Sequence, residues 1–138
     1  MSINPLNESP DVLAVATIWQ EAQNCSPEEQ SAVAHVIRNR MLEHYTSDGT
    51  VAGTVLVPWQ FSGWMNPAYA AESLAYAKGP DPMGLLAIWK ASAHTFDPTL
   101  GAVLYYSPDA MSPPGSVPDW VPRVTLTVVM PQFRFYKA

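Results

Sequence analysis

The chain has 138 residues, 48% hydrophobic and 14% charged, a length and balance that fit one compact domain with its own core and exclude a disordered tail. Its formal net charge is -5 with only 7 Lys and Arg, unclustered, which argues against a nucleic-acid partner because phosphate backbones are met by concentrated positive charge. A single cysteine, Cys25, excludes an internal disulfide and any zinc site built from Cys pairs.

The opening stretch, MSINPLNESPD, has no basic region and no apolar run, so no secretory signal is expected. Residues 1–9 read as a poorly ordered extension of a single domain spanning 1–138. No later stretch approaches the ~20 apolar residues of a membrane span, so membrane insertion is not expected.

Ser9-Pro10 reads as a cap and first helical residue, opening a helix to about Asn24 with Val12, Leu13, Val15, Ala16, Ile18, Trp19 and Ala22 in a wide apolar arc. Glu21 falls opposite the middle of that arc, beside Ala14 and Thr17, so helical periodicity alone makes it a solvated residue. A second helix opens at Ser26-Pro27 with Glu29 completing a capping box, and is expected to run to about His44. Its core stripe is Val33, Val36, Ile37 and Met41. Gln30 and Arg40 project into the same sector, and a buried guanidinium needs acceptors.

Thr46 to Thr50 reads as a turn, VAGTVLV as a short helix or strand, and Pro58 to Pro67 as a loop with an unusual aromatic load. Short helices are expected over Ala70–Ala77 and Pro82–Phe96. Beyond Gly101 the pattern changes to strands: Ala102–Ser107, Val124–Met130 and Gln132–Tyr136, the last two joined through Pro131. Between the first and second lies Pro108–Pro122, whose five prolines exclude regular structure. A loop that long in a small domain is more often functional than passive.

Of six Asp and six Glu, most have a structural explanation: Glu28 and Glu29 as N-terminal helix charges, Asp48 and Asp97 as turn formers, Glu43 and Glu72 on solvated faces. Glu21 is left over. It lies near the C-terminal end of its helix, where the dipole favours the protonated form, and a covering segment, such as the aromatic loop Pro58–Pro67, would raise its pKa further and make it a general acid. His35, His44 and His94 read as surface or capping residues, with no spacing that resembles a ligand set, so no metal is expected. Cys25 has no base beside it in sequence. Trp59, Phe61 and Trp64 in one loop, and Tyr105-Tyr106 on one strand, suit stacking against sugar rings, with Gln60, Ser62 and Asn66 as hydrogen-bond partners. They suit core and loop anchoring equally well. Tyr105 and Tyr106 must face opposite sides of their strand, which puts at least one of them in the core.

Four ordered stretches, ATIWQEAQNCSPEEQSAVAHVIRNR, VLVPWQFSGW, GAVLYYSPDAMSPP and the terminal FRFY, together resemble the cell wall hydrolase family named after the spore cortex-lytic enzyme SleB, including its phage-encoded single-domain members. The resemblance implies an α+β fold, a lysozyme- or lytic-transglycosylase-like helical body with a small antiparallel β element near the C-terminus. It implies Glu21, of the Glu-Ala pair, as the catalytic acid in cleaving peptidoglycan between N-acetylmuramic acid and N-acetylglucosamine. It implies a substrate groove around Gln60, Phe61, Ser62, Trp64, Tyr105 and Tyr106, supported by Gln30 and Arg40, with no cofactor. Members commonly read Gly-Glu-Ala-Arg-Gly-Glu, whereas this chain reads Gln20-Glu21-Ala22-Gln23-Asn24-Cys25, so the second acidic position is a cysteine.

Hydrolysis by water usually takes two carboxylates, and this chain offers one good candidate. A lytic transglycosylase needs one, because the sugar's own 6-hydroxyl is the nucleophile. The expectation is therefore a transglycosylase, with a muramidase-type hydrolase or a non-catalytic wall-binding or phage structural protein as the alternatives. A direct Arg40–Glu21 pair would oppose an acid role, so Arg40 is expected to bond backbone carbonyls or another carboxylate. Made in the cytoplasm without a signal peptide, the protein is expected to reach the wall through holin-dependent release or as part of a phage particle.

Overall fold

The computed structural model describes residues 4–138. The chain opens with a 3-10 turn at Pro5–Asn7, and residues 1–3 of the N-terminal extension lie outside the described residues. Five helices follow: α1 Pro10–Ala22, α2 Pro27–Glu43, α3 Ala52–Val55, α4 Pro67–Ala77 and α5 Leu85–Ala91. Three short strands close the chain: β1 Leu104–Tyr106, β2 Thr125–Val129 and β3 Arg134–Lys137.

The first two helices begin where local chemistry dictates. Ser9 Oγ accepts from Val12 N at 3.3 Å ahead of Pro10, and Ser26 and Glu29 form a reciprocal capping box around Pro27. α2 ends at His44, which takes the left-handed conformation (φ 53°), while Tyr45 N donates to Arg40 O at 2.9 Å. VAGTVLV contributes the single turn of α3. α4 starts three residues before the expected Ala70, because Asn66 Oδ1 accepts from Tyr69 N and Pro67 fits the first turn. α5 is much shorter than Pro82–Phe96: Asp81 accepts from Leu85 N and Leu86 N and so sets its start, and the helix closes at Ala91.

α1 is the central element. Leu13 through Gln20 are all buried, with no solvated side. α2 and α5 pack against it, as do α4 and the 3-10 turn Ser62–Met65. Ala14 and Thr17, on the side that periodicity assigned to solvent, have zero exposure. The reading of Glu21 as solvated is corrected by the same fact, since these elements occupy the side of α1 on which it stands. His35 is corrected too: it is buried within α2, its Nδ1 2.9 Å from Ser31 O, and Thr95 Oγ1 of the turn after α5 lies beside its Nε2. His94 is exposed, as read.

The sheet is antiparallel throughout, in the order β1-β3-β2. Tyr105 pairs with Phe135, and a bulge at Thr127 interrupts the β2–β3 register, with Thr127 Oγ1 donating to Thr99 O at 2.7 Å. Phe133 and Phe135 bury one face of the sheet in the core that contains Leu13, Ile18, Val33 and Ile37. On the other face Leu104, Tyr136 and Tyr106 form a smaller cluster with Trp120 and Val121 of the proline-rich connection. That connection holds two 3-10 turns, Pro108–Ala110 and Val121–Arg123.

Candidate active site

Glu21 stands one residue before the end of α1, half-buried. The terminal carbonyls of this helix are met by neutral donors: Tyr69 Oη donates to Gln20 O at 2.9 Å, and Gln30 Nε2 to Ala22 O at 3.1 Å. No basic residue occupies the last turn, so no cation on it offsets the partial negative charge of the helix end that faces the carboxylate.

The group that meets the acid comes from 84 residues away. Tyr105 Oη donates to Glu21 Oε1 at 2.5 Å. Its ring is fixed edge-on against Phe133 (centroids 5.2 Å apart, 82° between planes) and tilted against Phe135 at 5.6 Å. Burial pushes the Glu21 carboxyl above its ordinary range; the Tyr105 hydrogen bond and the charge of Arg40 pull the other way and do not cancel it. Burial and the neighbouring carboxylate hold the Tyr105 hydroxyl well above the usual phenol range, so it remains a proton donor at any working pH.

Arg40 behaves as its need for acceptors requires. It is 4% exposed, and its Nε donates to Val103 O at 2.7 Å while its Nη1 donates to Gln60 Oε1 at 2.9 Å. The rings of Phe61 and Tyr45 lie 5.0 and 5.6 Å from the guanidinium carbon. It makes no hydrogen bond to Glu21 among the described residues and acts on the acid through space. The groups that act on Glu21, Tyr105 and Arg40, include no second carboxylate. Glu29 is committed elsewhere, accepting from Ser26 N at the cap of α2 with one oxygen and from Gln132 N with the other at 2.7 Å.

The expected residues therefore fall into two sets. Glu21, Tyr105, Arg40 and Gln60 form one connected group, with Gln30 bracing it from behind. Phe61 is buried beneath the loop, and Trp64 is pinned by its Nε1 bond to Thr17 Oγ1 at 3.0 Å. Both line a groove of about 380 Å³ with Leu6, Leu56 and Met65, while Ser62 is exposed. Tyr106 points to the far face of the sheet, stacked on Tyr136 with Trp120 edge-on, away from Tyr105 and Glu21. Cys25 is half-buried in the α1–α2 turn, where burial and the charge of Glu29 push its thiol up. Among the described residues no three His, Cys, Asp or Glu are placed to hold a metal, and no helix is long and apolar enough to cross a membrane.

Sequence reasoning did not single out Gln20, Tyr45, Tyr69 or the Val103 carbonyl. Gln20 is buried, its Nε2 donates to Ser73 Oγ at 2.9 Å, and its Oε1 has no partner among the described residues. A methyl group on Gly63 would fall 2.5 Å from that oxygen, so glycine is what lets the aromatic loop approach α1. Its position next to Glu21 was the one available signal for Gln20. Tyr69 carried none, because its role depends on where α4 docks.

The fold, a buried central helix packed by four others with a small antiparallel sheet at the C-terminal end, is similar to two solved structures. One is the catalytic domain of the germination-specific lytic transglycosylase SleB from Bacillus anthracis, 20% identical with a TM-score of 0.71, covering 98% of this chain and 100% of that one. The other is the catalytic domain of SleB from Bacillus cereus, 22% identical with a TM-score of 0.70, covering 96% and 94%. At that identity the likeness defines the fold class. The family follows from sequence: the cell wall hydrolase model matches residues 25–136, and the chain belongs to that family of enzymes. The match begins four residues after Glu21, which lies outside it. Comparison with curated proteins gives no match.

Proposed function

We propose that the chain cleaves the glycan strands of peptidoglycan between N-acetylmuramic acid and N-acetylglucosamine as a lytic transglycosylase, with Glu21 as its single acid and base. The observation that carries this reading is a carboxyl raised by burial, held by Tyr105, with no second carboxylate acting on it. In the first half of the reaction the Glu21 proton passes to the glycosidic oxygen as the bond from the anomeric carbon breaks. The 6-hydroxyl of the muramic acid ring then attacks that carbon and its proton returns to Glu21, leaving a 1,6-anhydro end and consuming no water. Arg40 is near enough to favour the carboxylate that exists between the two transfers, yet is spent on Val103 and Gln60 and does not quench the acid. The lytic transglycosylase activity in the description of the Bacillus anthracis relative supports the same outcome.

The test is clearing of purified peptidoglycan by the wild type and by Glu21→Gln. Loss of an acid/base group is expected to slow turnover by about 10²–10⁴-fold, and equal rates would remove Glu21 from the mechanism. Mass spectrometry of the products separates the chemistries: 1,6-anhydro ends support transglycosylation, whereas reducing ends mean a hydrolase that places a water at the same acid.

A further inference from the structure

Gln60 is held in one orientation by an unusual partner. The guanidinium of Arg40 can only donate, so the atom facing it at 2.9 Å must be the carboxamide oxygen, whichever way the amide would otherwise turn. Arg40 itself is immobilised by its bond to Val103 O, by near-complete burial and by the Phe61 ring. The Nε2 end of Gln60 then points away from Arg40 and meets no acceptor among the described residues, although the residue is only half-buried. Its backbone is fixed as well, with Gln60 N donating to Val57 O at 3.2 Å.

A freely rotating carboxamide serves any hydroxyl equally well, since hydroxyls both donate and accept. Locking its polarity brings selectivity only toward a group that accepts and cannot donate. On a peptidoglycan strand such groups are the ether oxygens, the lactyl carbonyl of muramic acid and the acetamido carbonyl; the carbonyls are the stronger acceptors, and the acetamido carbonyl is the one that recurs on every sugar. We propose that Gln60, its polarity locked by Arg40, is a specificity-determining residue that donates from Nε2 to an acetamido carbonyl of the strand, so that the chain distinguishes N-acetylated from de-N-acetylated glycan. The inference rests on the reading of peptidoglycan strands as substrate and adds which chemical form of them the site selects.

Binding to insoluble peptidoglycan tests it without turnover. Glu21→Gln and Glu21→Gln/Gln60→Ala are each measured on native, chemically de-N-acetylated and re-acetylated strands. Removing the acetyl groups is expected to weaken Glu21→Gln about tenfold, the worth of one hydrogen bond, and re-acetylation to restore it. The ratio is expected to approach one when Gln60 is replaced by alanine. Any attraction of the acidic chain for the exposed amines is common to both proteins and cancels between them. Glu21→Gln/Gln60→Glu, with an acceptor at both oxygens, is expected to bind native strands more weakly than the alanine variant. Equal acetyl dependence in Glu21→Gln and Glu21→Gln/Gln60→Ala, or tighter binding by the Gln60→Glu variant, overturns the inference. Turnover separates the two readings: acetyl-selective binding with no glycan cleavage by the wild type sinks the proposed chemistry alone, and cleavage indifferent to acetylation sinks the selectivity alone.

Discussion

Tyr105 is the strongest of the side chains that oppose the effect of burial on Glu21. Its hydroxyl donates to the carboxyl and pulls its pKa down, against the larger effect of burial. Tyr105→Phe removes that pull while leaving the ring packed on Phe133 and Phe135. The carboxyl is then expected to rise further, so the alkaline limb of the pH–rate profile moves to higher pH. Turnover is expected to fall about tenfold through lost positioning while KM changes little. An unmoved limb in the phenylalanine variant would show that the tyrosine serves only to pack. The two adjacent tyrosines thus have unlike fates, as strand alternation requires: Tyr105 faces the acid, and Tyr106 packs with Trp120 and Tyr136 on the other side.

At the scale of elements, two connections hold the site's frame. Glu29 caps α2 and also accepts from Gln132 N in the turn between β2 and β3, joining the start of a helix to the tip of a hairpin. Glu29→Ala loses the cap and strands a backbone N–H, an expected cost of about 2–4 kcal/mol in urea unfolding. Glu29→Gln, which keeps acceptor geometry at one oxygen, is expected to cost less than half as much. The second connection is the contact of the aromatic loop with α1. In Gly63→Ala the new methyl meets a Gln20 side chain that Ser73 prevents from swinging away, with an expected loss of about 1–3 kcal/mol. Because Gln60 belongs to the same loop, KM is expected to rise with the loss of stability. A variant with wild-type stability and kinetics would mean that the loop accommodates the methyl freely.

Across the whole molecule Glu21 and Asp97 depend on pH in opposite directions. Glu21 has a folded pKa above its ordinary 4.5, so the folded chain holds a proton that the unfolded chain releases, and stability is lost as pH rises through the folded value. Asp97 is the reverse case. Burial works against its charge, but hydrogen bonds from Asn39, Thr99 and Gly101 outweigh that and hold it below 3.8. Its contribution is present above 3.8 and is lost as pH falls through the folded value. Glu21→Gln is therefore expected to match the wild type below pH 4.5 and to become the more stable protein as pH rises. Asp97→Asn is expected to be destabilised at neutral pH and to converge with the wild type in acid. Urea unfolding from about pH 3 to 8 checks both, and a Glu21→Gln difference that does not change with pH would contradict the burial of the acid. A gain of stability on removing a buried charge is the usual signature of a residue kept for something other than stability.

What the sequence by itself determined was whatever depends on a few adjacent residues. Ser9-Pro10 and Ser26-Pro27-Glu29 set the starts of α1 and α2 because a cap is completed within four residues, and strand alternation alone separated Tyr105 from Tyr106. Family resemblance pointed to Glu21, but the wheel of α1 placed it in solvent. Periodicity records one apolar face, and small residues such as Ala14 and Thr17 do not announce a second. Only the tertiary structure decided that α1 is enclosed on that side as well, by α4 and by the loop that Gly63 allows to approach. Only the tertiary structure brought Tyr105 to the acid, turned Arg40 toward Val103 and Gln60, and buried His35. Each of these depends on a partner tens of residues away, and desolvation, which sets the character of Glu21, is a property of everything packed around a residue and of nothing adjacent to it in the chain.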